Sequence, residues 1–373
     1  MKTVAVFFGG KSVEHDISVI TGVLTCNAIN SEKYEVVPIY VSGKGEWFTG
    51  QTLLDLDEYK NLKEDKLVRV LLMGGDNTLY VLKGKKIKAV SKIAVAINCI
   101  HGERGEDGSL SGMLNMCGIP LASPNVLSAS ISMDKSFTKI ALKGLGIKTL
   151  PYQVVEKIDD VEKLKGNLTY PVIVKPNCLG SSIGIERAEN QNELVGAVSY
   201  ALRFGKRAII EPLLDSFIEI NCAAYLLPDG TVKVSECERP IGSGGPLSFT
   251  DKYVRGSRVF PADISKRKSN IIKKITKKVY LGLGFTGVIR IDYFISHDEI
   301  YLNEINSVPG SLAYYLFGQT IKSFSTMLEE LIAVAEREFS SSQTFQTEYK
   351  SGAIFGGGVK GEKRKRTLTY KNA

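Results

Sequence analysis

Apolar residues fall along this chain in two rhythms. Up to about residue 125, short continuous apolar runs alternate with helical spacing, and beyond it period-two alternation becomes common. Val4 to Phe8 is an unbroken apolar run ending at Gly9-Gly10, the pattern of a buried parallel strand that turns into a loop. Ile17 to Ile29 has helical spacing, and VVPIYV from Val36 reads as a second strand. Residues 93–121 repeat the theme: IAVAINCI is a strand, HGERGEDGSL a loop, and LSGMLNMCG a helix that ends at glycine. A β-Gly-α-β opening predicts an open α/β domain whose ligands gather at the C-terminal strand ends.

From Asp134 to Gly144 the spacing predicts a helix, followed by strands in YQVVEK and YPVIVKP. Asn192 to Phe204 is another helix and AIIEPLL another strand. EINCAAYLL and TVKVSECE alternate like members of an antiparallel sheet. Arg239 to Phe249 has no periodicity and is rich in Gly, Pro and Ser, which predicts a long mobile loop. Ile271, Ile272, Ile275 and Val279 mark one helix, and Ile321, Phe324, Leu328, Leu331 and Ile332 a longer one. After Ser340 the pattern dissolves into polar, basic sequence with the composition of disorder.

Between the last two helices, VIRIDYFI and IYLNEIN flank the turn Ser296-His297-Asp298 and predict a hairpin. Alternate strand residues share a face, so Arg290 pairs with Asp292 and Glu304 with Asn306. An odd-numbered loop sets Asp292 across from Glu304; a two-residue loop sets them on opposite faces. In the first case two carboxylates and an amide converge beside a guanidinium, a hard-oxygen set suited to Mg²⁺ carrying a nucleotide phosphate. The alternative is a surface hairpin whose charges face water.

Composition narrows the class. The net charge of +8 is uneven: Lys360 to the end carries +5, so the charge marks a tail and not a nucleic-acid-binding body. Six scattered cysteines with no C-x-x-C pair give neither a disulfide framework nor a zinc site, and fit a reducing compartment. The N-terminus lacks a signal peptide's apolar length, and no run approaches a membrane span, so a cytoplasmic protein is expected.

Several segments carry candidate chemistry. Lys175 opens KPNCLGSSIG after the strand PVIV, where glycines admit an anion to the backbone and serines add donors. It is not a Walker loop, and the same residues also make an ordinary turn. Lys135 lies near a helix start and Lys252 follows the long loop, which would then act as a lid over a triphosphate. Glu14 could hold an ammonium group or simply favour the first turn of its helix; His101 could bind substrate or orient its own loop. The first glycine turn lacks G-x-G-x-x-G, which removes a dinucleotide-binding dehydrogenase.

FGGKSVEHDIS, HGERGEDGSLSGMLNMCGIP, SMDKSFTK, VIVKPNCLGSSIGI, DKY, IRIDYF and YLNEINSVPG together resemble the ATP-grasp superfamily, and within it the D-alanine–D-alanine ligases, over roughly residues 3–335. The resemblance implies ATP-grasp architecture: an N-terminal α/β domain (1–125), a small subdomain (126–212), a metal-bearing subdomain (213–340) and a basic tail (341–373). It implies that Lys135 and Lys175 hold the phosphates with Ser182 and Lys252 closing over them, that Glu211, Leu214 and Glu219 contact the adenine and ribose, and that Asn303 completes the ATP site. Asp292, Glu304 and Asn306 would take two Mg²⁺, or Mn²⁺ in their place. Glu14 would bind the first ammonium in a network with Ser181 and Tyr253, and Arg290 with the Gly310 amide would face the oxyanion. His101, Ile17, Tyr315 and Leu316 would border the substrates. The family often dimerises through its N-terminal domain.

Two departures leave the acceptor open. Tyr315 stands where the family has a small hydroxyl residue for the second carboxylate, and either fills that room or swings away. The lid keeps Lys252 and Tyr253 but not the usual acidic, tyrosine-rich run. A dipeptide ligase, a ligase with another acceptor such as D-serine, and a non-catalytic nucleotide-binding module therefore all stand.

Overall fold

The computed structural model describes residues 1–241, 257–346 and Tyr349. Lys252, Tyr253, most of the long loop and the basic tail lie outside the described residues.

The first unit is built on β1 (Lys2–Gly9), α1 (His15–Ala28), β2 (Tyr34–Val41), β3 (Trp47–Thr49), β4 (Val68–Met73), β5 (Asp76–Lys83) and β6 (Lys86–Asn98), followed by α2 (Ser109–Met116). The expected parallel core is present: β1 pairs in parallel with both β2 and β6. Residues 47–92, which the periodicity left unread, carry the sheet onward by antiparallel pairings, and the order β1-β2-β3-β4-β5-β6 closes on itself. The expected open edge is thus absent. The long β6 makes the closure, pairing with β5 through Lys86–Lys92 and with β1 beyond it. Val4 to Phe8 are wholly buried, as an unbroken apolar strand requires. Because β1 and β6 run parallel, the loops that carry Glu14 and His101 leave the sheet at the same end.

Next come α3 (Val126–Met133), α4 (Lys135–Gly144), β7 (Gln153–Val155), α5 (Asp159–Glu162), β8 (Val172–Pro176), β9 (Glu186–Ala188), α6 (Gln191–Ala201) and β10 (Ala208–Pro212). The strands form an antiparallel sheet ordered β7-β10-β8-β9, with its own core beneath α6. A second four-stranded sheet follows, ordered β12-β11-β15-β16, from β11 (Ile218–Leu226), β12 (Val232–Val234), β15 (Val288–Ser296) and β16 (Glu299–Asn306). The helix α7 (Lys266–Gly282) covers it through Ile272, Val279 and Tyr280. The start of the predicted loop is instead ordered: β13 (Arg239–Pro240) pairs with β14 (Arg258–Val259).

The last helix, α8 (Ile321–Ser342), begins with a capping box between Thr320 and Ser323. Its apolar face lies in one cluster with Val4, Val6 and Phe8 of β1, so it packs back on the first unit. All six cysteines are free. Among the described residues no helix is long and apolar enough to cross a membrane.

Candidate active site

The two four-stranded sheets face a cleft lined by Lys135, Lys175, Ser182, Glu211, Leu214, Glu219, Asp292, Asn303 and Glu304. Lys135 reaches it from the first position of α4, which Asp134 caps by accepting the Phe137 N–H at 2.9 Å. Asn177 ties that helix start to the end of β8, its carbonyl and side chain accepting the Lys135 and Ser136 N–H groups at 3.0 and 3.1 Å. The Lys135 ammonium donates to the Leu179 carbonyl at 2.6 Å and lies 3.7 Å from Glu304.

Lys175 extends from β8 to Glu211 Oε2 at 2.7 Å and Asn303 Oδ1 at 3.4 Å. Glu211 Oε1 takes a second ammonium, Lys139, at 2.6 Å. Burial opposes ionisation of Glu211, but Lys175 and then Lys139 more than offset it and hold the carboxyl at about 2. Burial also draws Lys139 downward, with Glu211 opposing. Lys139 escaped the sequence reading, although four residues after Lys135 is the spacing that shares a helix face. Glu211, expected at the nucleotide's base and ribose, is committed here to two lysines.

The hairpin has the two-residue loop, and the carboxylates meet all the same. Ser296 pairs with Glu299, leaving the two-residue loop His297-Asp298, both with positive φ. Regular alternation from that turn would separate the carboxylates. A bulge at Asn303 inserts one residue, so Asp292 still lies across from Glu304 and Arg290 across from Asn306. It also brings Asn303 and Glu304, neighbours in sequence, to the same cleft. Arg290 forks onto Asp292 through Nε at 2.7 Å and Nη2 at 2.9 Å, and Asn306 Nδ2 donates to Asp292 at 3.1 Å.

Beside this cleft the Ser181 hydroxyl donates to buried Glu14, joining the glycine-serine loop to the first unit. Ser181 and Ser182 both have positive φ, and a side chain at Gly180 would crowd Glu14 at 3.3 Å. Ile17 is buried one turn along α1. His101 is buried with Nε2 3.1 Å from Thr21 Oγ1. Burial, reinforced by the charge of Arg290, lowers its imidazole to about 4. Gly310 opens the turn after β16, where Leu316 belongs to an apolar cluster with Ala223 and Ala313. Tyr315 does not swing clear: the Arg258 guanidinium covers its ring at 4.5 Å and Arg290 hydrogen-bonds its hydroxyl. Burial pushes that phenol up to about 12, with Arg290 opposing.

Glu106 also went unread, although it falls inside HGERGEDG. Its carboxylate accepts the Gly102 N–H at 2.9 Å and the Val308 N–H at 3.2 Å. Burial and then the charge of Glu14 push it up to about 8.

Two sheets closing on a lysine-lined cleft with a carboxylate hairpin define the ATP-grasp architecture, here that of a ligase. Residues 3–124 match the model of the D-ala D-ala ligase N-terminus and residues 141–334 that of the D-ala D-ala ligase C-terminus. The chain belongs to the D-alanine–D-alanine ligase family. A D-alanine–D-alanine ligase from Thermosipho melanesiensis is 34% identical, with 92% of this chain and 96% of the relative aligned. The crystal structure of the D-alanine–D-alanine ligase from Helicobacter pylori superposes with a TM-score of 0.75 at 29% identity, covering 89% of this chain and 98% of that one. A D-Ala:D-Ser ligase from Enterococcus faecalis gives 0.76 at 26% identity, covering 90% and 99%.

Proposed function

We propose that this chain is an ATP-dependent ligase that joins two D-alanines for cell-wall precursor synthesis. The observation that carries the reading is the meeting of Lys135 and Lys175 with Asp292, Asn303 and Glu304 in one cleft, next to the Glu14–Ser181 contact. The γ-phosphoryl group passes to a carboxylate oxygen of the first D-alanine, giving an acyl phosphate and ADP. The amine of the second attacks the acyl carbon, loses a proton, and expels phosphate.

In this reading Ile173, Leu214, Phe217 and Phe294 form the apolar end of the cleft that takes the base, with Glu219 and Glu211 beside it. Lys135 and Lys175 hold phosphate oxygens, and Ser182 and Lys252 complete their cover. Glu14 binds the first ammonium, Ser181 and Tyr253 hold Glu14 in place, and Ile17 and His101 back that pocket. Arg290 and the Gly310 amide stabilise charge on the carbonyl oxygen, and aligned reactants supply the other large part of the acceleration.

Asp292 and Glu304 face each other and Asn306 donates through its nitrogen, so its oxygen remains the acceptor end; this hard donor set fits Mg²⁺ or Mn²⁺. A pair of such ions supplies charge neutralisation for the phosphates. Arg290 forks onto Asp292 and the Lys135 ammonium lies 3.7 Å from Glu304, so each carboxylate faces a cation at close range.

Tyr315 supports a second reading, a different acceptor, because its ring lies under the Arg258 guanidinium and packs against the cluster that holds Leu316. We further propose working units at 1–125, 126–212 and 213–340, a cytoplasmic location and a homodimer. The separate sheet cores support the division.

The test is phosphate release from Mg-ATP with D-alanine alone and then with D-alanine plus a panel of second amino and hydroxy acids, products read by mass. Release with D-alanine alone, together with dialanine, is expected. Release only with another second acid establishes the acceptor variant. Silence across the panel with ATP still bound overturns the ligase.

A further inference from the structure

After the hairpin the chain runs Ser307-Val308-Pro309-Gly310-Ser311-Leu312-Ala313. Ser311, Leu312 and Ala313 have φ of 51°, 49° and 50°. Three successive L-residues thus lie in the left-handed region, where Cβ crowds the following carbonyl. None of them is glycine or asparagine. Such a turn persists only where its surroundings over-determine it.

The polar restraints come from the first unit. On one side, Glu106 accepts the N–H of Gly102, in its own loop, at 2.9 Å and the N–H of Val308 at 3.2 Å. Its main-chain carbonyl accepts the Ser307 hydroxyl at 3.3 Å. On the other side, the Ser311 N–H donates to Thr21 Oγ1 at 3.0 Å. Thr21 is 1% exposed, on the inner face of α1, and its oxygen is 3.1 Å from His101 Nε2. Gly310 lies between these two anchorages.

We propose that Glu106 and Thr21 are positioning residues that clamp the Pro309–Ala313 turn from the first unit and so aim the Gly310 amide. What the amide is aimed at, the reacting carbonyl oxygen, rests on the ligase reading; the clamp itself does not. A donor fixed in advance stabilises charge without reorganising as the charge develops. Displacement by about 1 Å costs on the order of a hundredfold in rate.

The test uses the full chain and three variants: Thr21→Val, which keeps the shape and removes the hydroxyl; Thr21→Ser, which restores it; and Glu106→Gln, which sets an NH₂ against one of two N–H donors. Turnover is read with Mg-ATP and D-alanine, and backbone hydrogen exchange is read over residues 307–316. In Thr21→Val and Glu106→Gln, kcat should fall about 10- to 100-fold with KM for ATP within about twofold. Exchange should quicken over this segment alone, and Thr21→Ser should stay within about twofold of the parent on every count. Unchanged exchange in Thr21→Val overturns the clamp, as does a Thr21→Ser variant as impaired as Thr21→Val. Faster exchange throughout the first unit overturns it in favour of a general folding role. Faster exchange at 307–316 in a protein whose parent releases no phosphate sustains the clamp and sinks the ligase reading instead.

Discussion

Glu211 shows how one buried carboxylate can set the character of a site. It is 3% exposed and takes one oxygen each to Lys139 and Lys175, so the three groups carry a single net positive charge. Lys139 thereby keeps Lys175 from being neutralised outright by Glu211. Removing one partner of a buried ion pair leaves charge without compensation. Lys139→Met should therefore cost on the order of 2–3 kcal/mol in denaturant unfolding, less than for an isolated pair because Lys175 remains. It should also raise KM for ATP several-fold; an unchanged KM would mean that Lys139 supports the fold alone. His101 gives the pH response at this scale. Its folded imidazole lies near 4 against an ordinary 6.5, so the unfolded chain binds the extra proton between those values. Stability is then fully present above about pH 6.5 and falls by up to about 3 kcal/mol as the pH drops to 4. Unfolding free energies of the parent and His101→Gln, compared from pH 7 to 4, should converge; parallel curves would show that His101 does not titrate in this way.

Among the elements, the hairpin separates what pattern discloses from what it hides. Alternation in VIRIDYFI and IYLNEIN places Arg290 with Asp292 and Glu304 with Asn306, and the structure keeps both relations. The turn length and the bulge leave no such trace, because one extra residue in a strand has no compositional mark. Of the two loop lengths left open by the pattern the two-residue one is formed, yet the carboxylates still meet because the bulge at Asn303 supplies the odd residue. Lys139, Glu106 and Thr21 were missed for a related reason: their roles arise from partners far away in sequence, and only their motif positions or helical spacing hinted at them. Residues 47–92 were unreadable because their strands are short or interrupted by irregular pairing. The bulge account makes a further prediction. Deleting Asn303 restores a regular ladder from the two-residue turn that still sets Glu304 across from Asp292. The deletion and Asn303→Ala should then behave alike, raising KM for ATP about fivefold through loss of one hydrogen bond to Lys175, with kcat kept. Loss of metal-dependent turnover in the deletion alone would show that the bulge aims Glu304 and would sink this account.

For the whole molecule, α8 decides what can fold alone. Phe324, Met327, Leu328, Leu331 and Ile332 are essentially buried, in one cluster with Val4, Val6, Phe8, Val19 and Val23 of the first unit. Burying each such side chain contributes about 1.5–3 kcal/mol. Together that matches the roughly 5–15 kcal/mol by which a whole domain is stable. The boundary near residue 125 is therefore one of sequence more than of stability, since the first unit's core is finished by a helix some two hundred residues on. The clamp on residues 307–311 lies on the same interface, so the packing that stabilises the first unit also brings Glu106 and Thr21 to the turn. A chain of residues 1–125 should consequently expose an apolar face on β1 and α1, melt without a cooperative transition and aggregate. The full chain should lose the structure of α1 and α8 together, as read by hydrogen exchange along a denaturant series. A 1–125 fragment with a sharp melt near that of the full chain would overturn this, and would mean that α8 docks on a core already complete.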